Sequence, residues 1–136
     1  MRERRRGREA ALQMLFEIDA TGQSAESAIR NYWATLASSV EGRDFADKIV
    51  RGVMGDLERI DEMIRGVSRN WRLERMARVD RNVIRLATFE LVAFEDIPRK
   101  VTLNEAVELA KRYGSENSAS FVNGVLDRLA SDLGKG

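Results

Sequence analysis

The sequence predicts an all-α protein of about seven helices, on three observations. Apolar residues recur at three- and four-residue spacing through most of the chain. No segment shows the two-residue alternation or hairpin turn of a sheet. The chain has a single proline, and several glycines fall where an apolar pattern stops.

The first helix is expected from about Arg5 to Ala20. Ala11, Met14, Leu15 and Ile18 make one stripe, and Leu12 and Phe16 a second, so neighbours are expected on two sides. Gly22 ends this helix, and Ser24 is placed to cap the next. That second helix carries Ala28, Ile29, Tyr32, Trp33 and Leu36, and Gly42 breaks it. A third carries Phe45, Ile49, Val50 and Val53 and ends near Gly55. Asp56 is expected to cap a fourth, with Leu57, Ile60, Ile64 and Val67 on one face. The short connections imply antiparallel neighbours.

Trp71, Leu73 and Met76 read as a short apolar turn, forming a seam between two halves. Val79, Val83, Ile84, Ala87, Leu91 and Phe94 define a fifth helix. It ends before Pro98, which biases Ile97 away from helix. Thr102-Leu103-Asn104-Glu105 has the form of a capping box, opening a helix with Leu103, Ala106, Val107 and Ala110 inward. Gly114 stops it. Ser118 is expected to cap the last helix, which runs through Val122, Val125, Leu126, Leu129 and Leu133. Gly124 sits mid-helix, where glycine costs about 1 kcal/mol against alanine. It implies a close helix approach, with Asn123 bonding across it.

Composition narrows the chemistry. At 136 residues the chain is one domain, or two tightly packed subdomains. The absence of cysteine excludes disulfides and thiol chemistry and suits a reducing cytoplasm. The absence of histidine removes the commonest general base and a common metal ligand. There is no glycine-rich phosphate loop, and the Glu95-Asp96 pair is expected to face solvent at a helix end. No apolar run is long enough to span a bilayer. Neither an enzyme nor a metal or cofactor is expected.

The charge is concentrated. Arg2, Arg4, Arg5, Arg6 and Arg8 face one acid, Glu3, so the first eight residues carry about four net positive charges in a chain of +1. Arginine forks bind phosphate bidentately and stack on bases. This basic arm reads as an anchor for a polyanion, RNA above all. A solvated tail and an anionic membrane surface are the alternative readings of the arm alone.

Three blocks bring a family into view. They are Asp80-Arg81-Asn82-Val83-Ile84-Arg85-Leu86-Ala87-Thr88-Phe89-Glu90-Leu91, the segment from Ile97 to Lys111, and Phe121-Val122-Asn123-Gly124-Val125-Leu126-Asp127. With the arginine-rich start, their order and spacing resemble the NusB family of transcription antitermination factors. The resemblance is specific from Asp80 onward and weak between Gly22 and Arg72. It implies a NusB-like fold of two packed three-helix subdomains. The expected division is an arm over residues 1–8, a first helical subdomain over about 9–72, and a second over about 73–136.

The resemblance also implies single-stranded boxA RNA of nascent ribosomal RNA as ligand. The implied partners are NusE, a small-subunit ribosomal protein, and the RNA polymerase antitermination complex. Some relatives self-associate through the RNA-facing surface, so a homodimer is an alternative state. A NusB-like domain also opens certain ribosomal-RNA cytosine methyltransferases. This chain stops at Gly136, and no methyl-donor site is expected. The main rival is a helical protein–protein adaptor with a non-specific basic tail.

The expected RNA contacts are Arg2, Arg4, Arg5, Arg6 and Arg8, with Lys100 as a further phosphate ligand. Asn117, Ser118 and Phe121 are expected to supply base edges, a hydroxyl and a stacking ring beside the arm. Ser118 as a plain helix cap and Phe121 as core are the competing readings. The family often has an acid where Asn117 stands, and loss of that charge reduces repulsion of phosphate. Asp80, Arg81, Arg85 and Glu90 are expected to form a polar face that docks NusE, against the reading of a plain solvated face.

Overall fold

The computed structural model describes residues 2–35 and 41–134. Leu36, expected in the second helix, lies outside the described residues. Among the described residues there are seven α-helices, one short 3₁₀ turn and no strand. The helices are α1 (Arg2–Thr21), α2 (Ala25–Thr35), α3 (Arg43–Gly55), α4 (Leu57–Val67), α5 (Arg78–Ala93), α6 (Arg99–Tyr113) and α7 (Ser118–Asp132). The 3₁₀ turn, Leu73–Arg75, lies between α4 and α5.

α1 packs on α2, α3 and α5, and α5 in turn packs on α3, α4, α6 and α7. One continuous core runs through these contacts, from Leu12, Met14 and Leu15 through Ile49 and Val53 to Ile84, Leu86, Leu126 and Leu129. The two stripes of α1 serve the purpose expected of them, with Phe16 only half-buried. Ser24 caps α2 by accepting the Ser27 N–H at 3.1 Å. Gly22 closes α1 in the left-handed region, φ 77°, and its N–H donates to the Ile18 carbonyl.

Several local expectations need correction. Arg2 to Arg8 do not form a separate arm, because α1 begins at Arg2. A Cβ on Gly7 would stand 2.9 Å from the Gly42 carbonyl, and one on Gly42 only 2.3 Å from the Glu3 carbonyl. The start of α1 therefore docks on the Gly42 turn, and two glycines permit the approach. Thr102 to Glu105 are not a capping box. α6 starts earlier, after Pro98, and Thr102 is buried inside it with its hydroxyl 3.5 Å from Glu90.

Gly124 makes no close helix approach, since a Cβ there would meet only the tip of Arg128 at 3.9 Å. Asn123 is exposed. The close approach lies elsewhere: a Cβ on Gly52 would stand 2.1 Å from the Phe89 ring. Leu73 and Met76 are buried as a seam requires, whereas Trp71 is exposed. Leu133 also lies at the surface.

Candidate nucleic-acid interface

Docking of α1 turns the arginine cluster into a displayed surface. Arg2, Arg5 and Arg6 are exposed and Arg4 is half-buried. Each is held by a carboxylate. Arg2 and Arg6 approach Glu41 at 3.5 and 3.7 Å, and Arg4 reaches Asp96 at 3.5 Å. Arg5 donates from Nε and Nη2 to the two oxygens of Glu105, at 3.1 and 2.8 Å. Lys100 is exposed in the first turn of α6, close in sequence to Asp96 and Glu105.

Arg8 behaves differently and is a correction. It is 2% exposed and donates in a fork to Glu90, which is 1% exposed, at 2.8 and 2.7 Å. Its inward register on α1 takes it into the core, so it is unavailable to phosphate. Arg8 also lies 3.7 Å from Glu105. Glu105 thus bridges a buried and an exposed arginine. The Arg5 hydrogen bond, opposed by burial and aided by the charges of Arg5 and Arg8, holds its pKa below the usual carboxylate range.

The face expected to dock a partner is not a solvated face. Glu90 is sequestered by Arg8. Asp80 is buried, with one oxygen lacking a hydrogen bond. Arg81 donates to Asp19 at 2.9 and 2.7 Å, and Arg85 donates to both oxygens of Asp61 at 2.9 and 3.0 Å. Asn82 joins the Asp19 cluster at 2.9 Å. Burial alone would raise the pKa of Asp19. Hydrogen bonds from Arg81 and Asn82, with the charges of Arg81 and Arg85, outweigh it and hold the value low. These charges bind α5 to α1 and α4 and are not offered to a partner.

The second expected cluster is split. Ser118 is 1% exposed, and its hydroxyl accepts the Ser115 N–H at 2.9 Å. It braces the turn before α7, makes no cap to its own helix, and is closed to RNA. Asn117 is exposed and Phe121 half-buried, one turn apart on the same side. They do not adjoin the arginines. Arg5 meets α6 at Glu105, and Tyr113 stands about 12 Å further along that helix. Arg99 pairs with Asp127, so α7 runs back antiparallel and its start lies at the far end. There Phe121 meets Trp71, edge to face, with ring centroids 5.7 Å apart.

Sequence reasoning missed the surroundings of Trp71. Arg69, Asn70, Arg72 and Arg75 are all exposed around it. The signal was present as an aromatic ring interleaved with arginines, and the apolar reading of Trp71 hid it. Leu12, Phe16, Tyr32, Val79 and Tyr113 line an open groove, with Arg78 over the Phe16 ring at 5.6 Å. No group of acids able to hold a metal ion occurs among the described residues. No described helix is long and apolar enough to cross a membrane.

A helical scaffold that displays arginines and aromatic rings on its outside suits the class of proteins that bind nucleic acid. Comparison with known proteins makes the class specific. Residues 5–131 match the NusB family. A transcription antitermination protein NusB from Sorangium cellulosum is 58% identical over 135 residues, spanning 99% of this chain and 96% of that one. One from Anaeromyxobacter dehalogenans is 51% identical, spanning 96% and 92%.

Among solved structures, NusB of T. maritima superposes with a TM-score of 0.87 at 41% identity, over 95% of this chain and 91% of that one. A crystal structure of the antitermination factors NusB and NusE in complex with dsRNA matches with a TM-score of 0.87 at 26% identity, over 97% and 98%. The chain belongs to the NusB family, and the curated relatives it matches are named transcription antitermination proteins.

Proposed function

We propose that this chain binds boxA-type single-stranded RNA of nascent ribosomal RNA together with NusE. Through the RNA polymerase complex it suppresses transcription termination, in the cytoplasm. The observation that carries this reading is the display of Arg2, Arg4, Arg5 and Arg6 at one docked helix end. It is supported by the shared fold with a NusB bound to NusE and RNA.

The chemistry is an exchange. Exposed ion pairs are worth at most about 1 kcal/mol each, so a phosphate can displace the carboxylate from each fork. When Arg5 turns to phosphate, Glu105 keeps Arg8 as a partner and is not left unpaired. Lys100 adds a further positive charge near that end. These contacts position RNA, and discrimination needs base contacts elsewhere on the surface.

The test is binding to a boxA-like strand, a scrambled strand and a duplex, with and without NusE, across a salt series. Four phosphate contacts predict a log–log slope of about −3 for a single strand. Selective binding that NusE strengthens, and that Arg2→Ala/Arg4→Ala/Arg5→Ala/Arg6→Ala abolishes, is the expected result. Equal, weak binding to all three RNAs regardless of NusE would leave a helical adaptor with a basic end.

A further inference from the structure

The arginines at the start of α1 all lie within 4 Å of an acid, and a second group does not. Arg69, Arg72 and Arg75 are exposed, and none of the ion pairs within 4 Å among the described residues includes them. The one acid in this stretch, Glu74, is held by Arg65 at 2.8 Å. The three arginines flank Trp71 in sequence, and Trp71 is 60% exposed, the most exposed of the large apolar side chains described.

This loop is built to hold its shape. Leu73 and Met76 are buried beneath it. The Trp71 N–H donates to the Ser68 carbonyl at 2.9 Å, and the Arg75 N–H to the Arg72 carbonyl at 3.0 Å. From below, Arg81 donates to the carbonyls of Leu73, Glu74 and Met76 at 3.1, 3.4 and 3.4 Å. The edge contact with Phe121 steadies the indole from the side of α7. A ring fixed in this way binds with little further loss of side-chain freedom.

We propose that the Trp71 loop, with Arg69, Arg72 and Arg75, is a second contact surface for single-stranded RNA, and that it stacks a base on the indole. The proposal rests on the RNA-binding reading above and extends it to the far end of α6. Every base has a face that stacks on an aromatic ring, and each fork takes a phosphate. Three exposed arginines within four residues of the ring, with the one acid among them already paired, favour a polyanion as the occupant. The loop and the arginine end of α1 lie toward opposite ends of α6, so a strand long enough to span that helix can serve both.

The experiment uses the full chain and two boxA-like single strands, one of about 12 nucleotides and one of about 6. Affinity is measured over a salt series, with and without NusE. Trp71→Ala is expected to weaken binding of the longer strand about tenfold or more and to leave the shorter one unchanged. Trp71→Phe retains most of the affinity. Arg69→Ala/Arg72→Ala/Arg75→Ala flattens the salt slope by about 2. A photoactivatable thiouridine in the longer strand cross-links to the loop.

Thermal unfolding checks each variant, and the triple arginine variant decides the matter if Trp71→Ala is unfolded. Native affinity for both strands in the triple variant and in whichever tryptophan variant folds would overturn the proposal while leaving the RNA-binding reading intact. So would a loss confined to NusE association, with RNA binding alone unchanged, since the loop would then be a protein surface. Failure of the native chain to bind either strand would sink both readings together.

Discussion

Arg5 and Arg8 stand less than one turn apart on α1 and meet opposite fates. Arg5 points outward and shares Glu105 with solvent, whereas Arg8 points inward and is closed over Glu90. Removing one partner of a buried ion pair leaves the other charged and unpaired in the core. Arg8→Ala is therefore predicted to cost about 3–5 kcal/mol of stability in urea unfolding. The double variant Arg8→Met/Glu90→Leu should recover most of that loss, because it removes both desolvated charges. A loss of RNA affinity with native stability in Arg8→Ala would show that Arg8 reaches the ligand after all.

At the scale of elements, polar and apolar devices fix how helices meet. Asp19 gathers Arg81 and Asn82 from α5 onto α1, with Arg85 at 3.6 Å. Its depressed pKa gives stability that is complete above the unfolded value of about 4 and is lost as pH falls through the folded value. Asp19→Asn is predicted to cost about 2 kcal/mol at neutral pH. The gap to the native chain should close below pH about 4. Equal destabilisation at pH 7 and in acid would mean that the charge of Asp19 is not what holds α5.

Gly52 lets α3 approach the Phe89 ring on α5. Gly52→Ala should destabilise by about 1–3 kcal/mol, since the ring must move to admit a methyl group. A calorimetric scan showing no loss would place the ring elsewhere.

For the whole molecule, the continuity of the core decides how it unfolds. α5 touches helices from both halves of the chain, and its Ile84 and Leu86 are buried in a cluster that also holds Met14 and Leu129. A single cooperative transition is predicted, with near- and far-ultraviolet signals melting together. Two separate transitions would establish halves that fold independently. The same architecture separates the two surfaces proposed for RNA. Arg2 to Arg6 lie at one end of α6, and Trp71 with Phe121 lies at the other.

The sequence by itself determined the helical class, the order of the elements and most of the core. Periodicity and punctuation are local properties: Gly22, Ser24, Gly42 and Pro98 mark their boundaries without help from the rest of the chain. The family was legible for the same reason, in three blocks whose order survives without coordinates. What each charge does was decided only by the tertiary structure. Six of the expected site residues, Arg8, Asp80, Arg81, Arg85, Glu90 and Ser118, are enclosed or spent on contacts between helices and within turns. Trp71, which reads as core, stands in solvent. A polar side chain looks the same in sequence whether it meets water or a partner brought from 82 positions away, as Glu90 is to Arg8. Helix periodicity tells which residues share a face. Which face another helix covers is set by packing between segments remote in sequence.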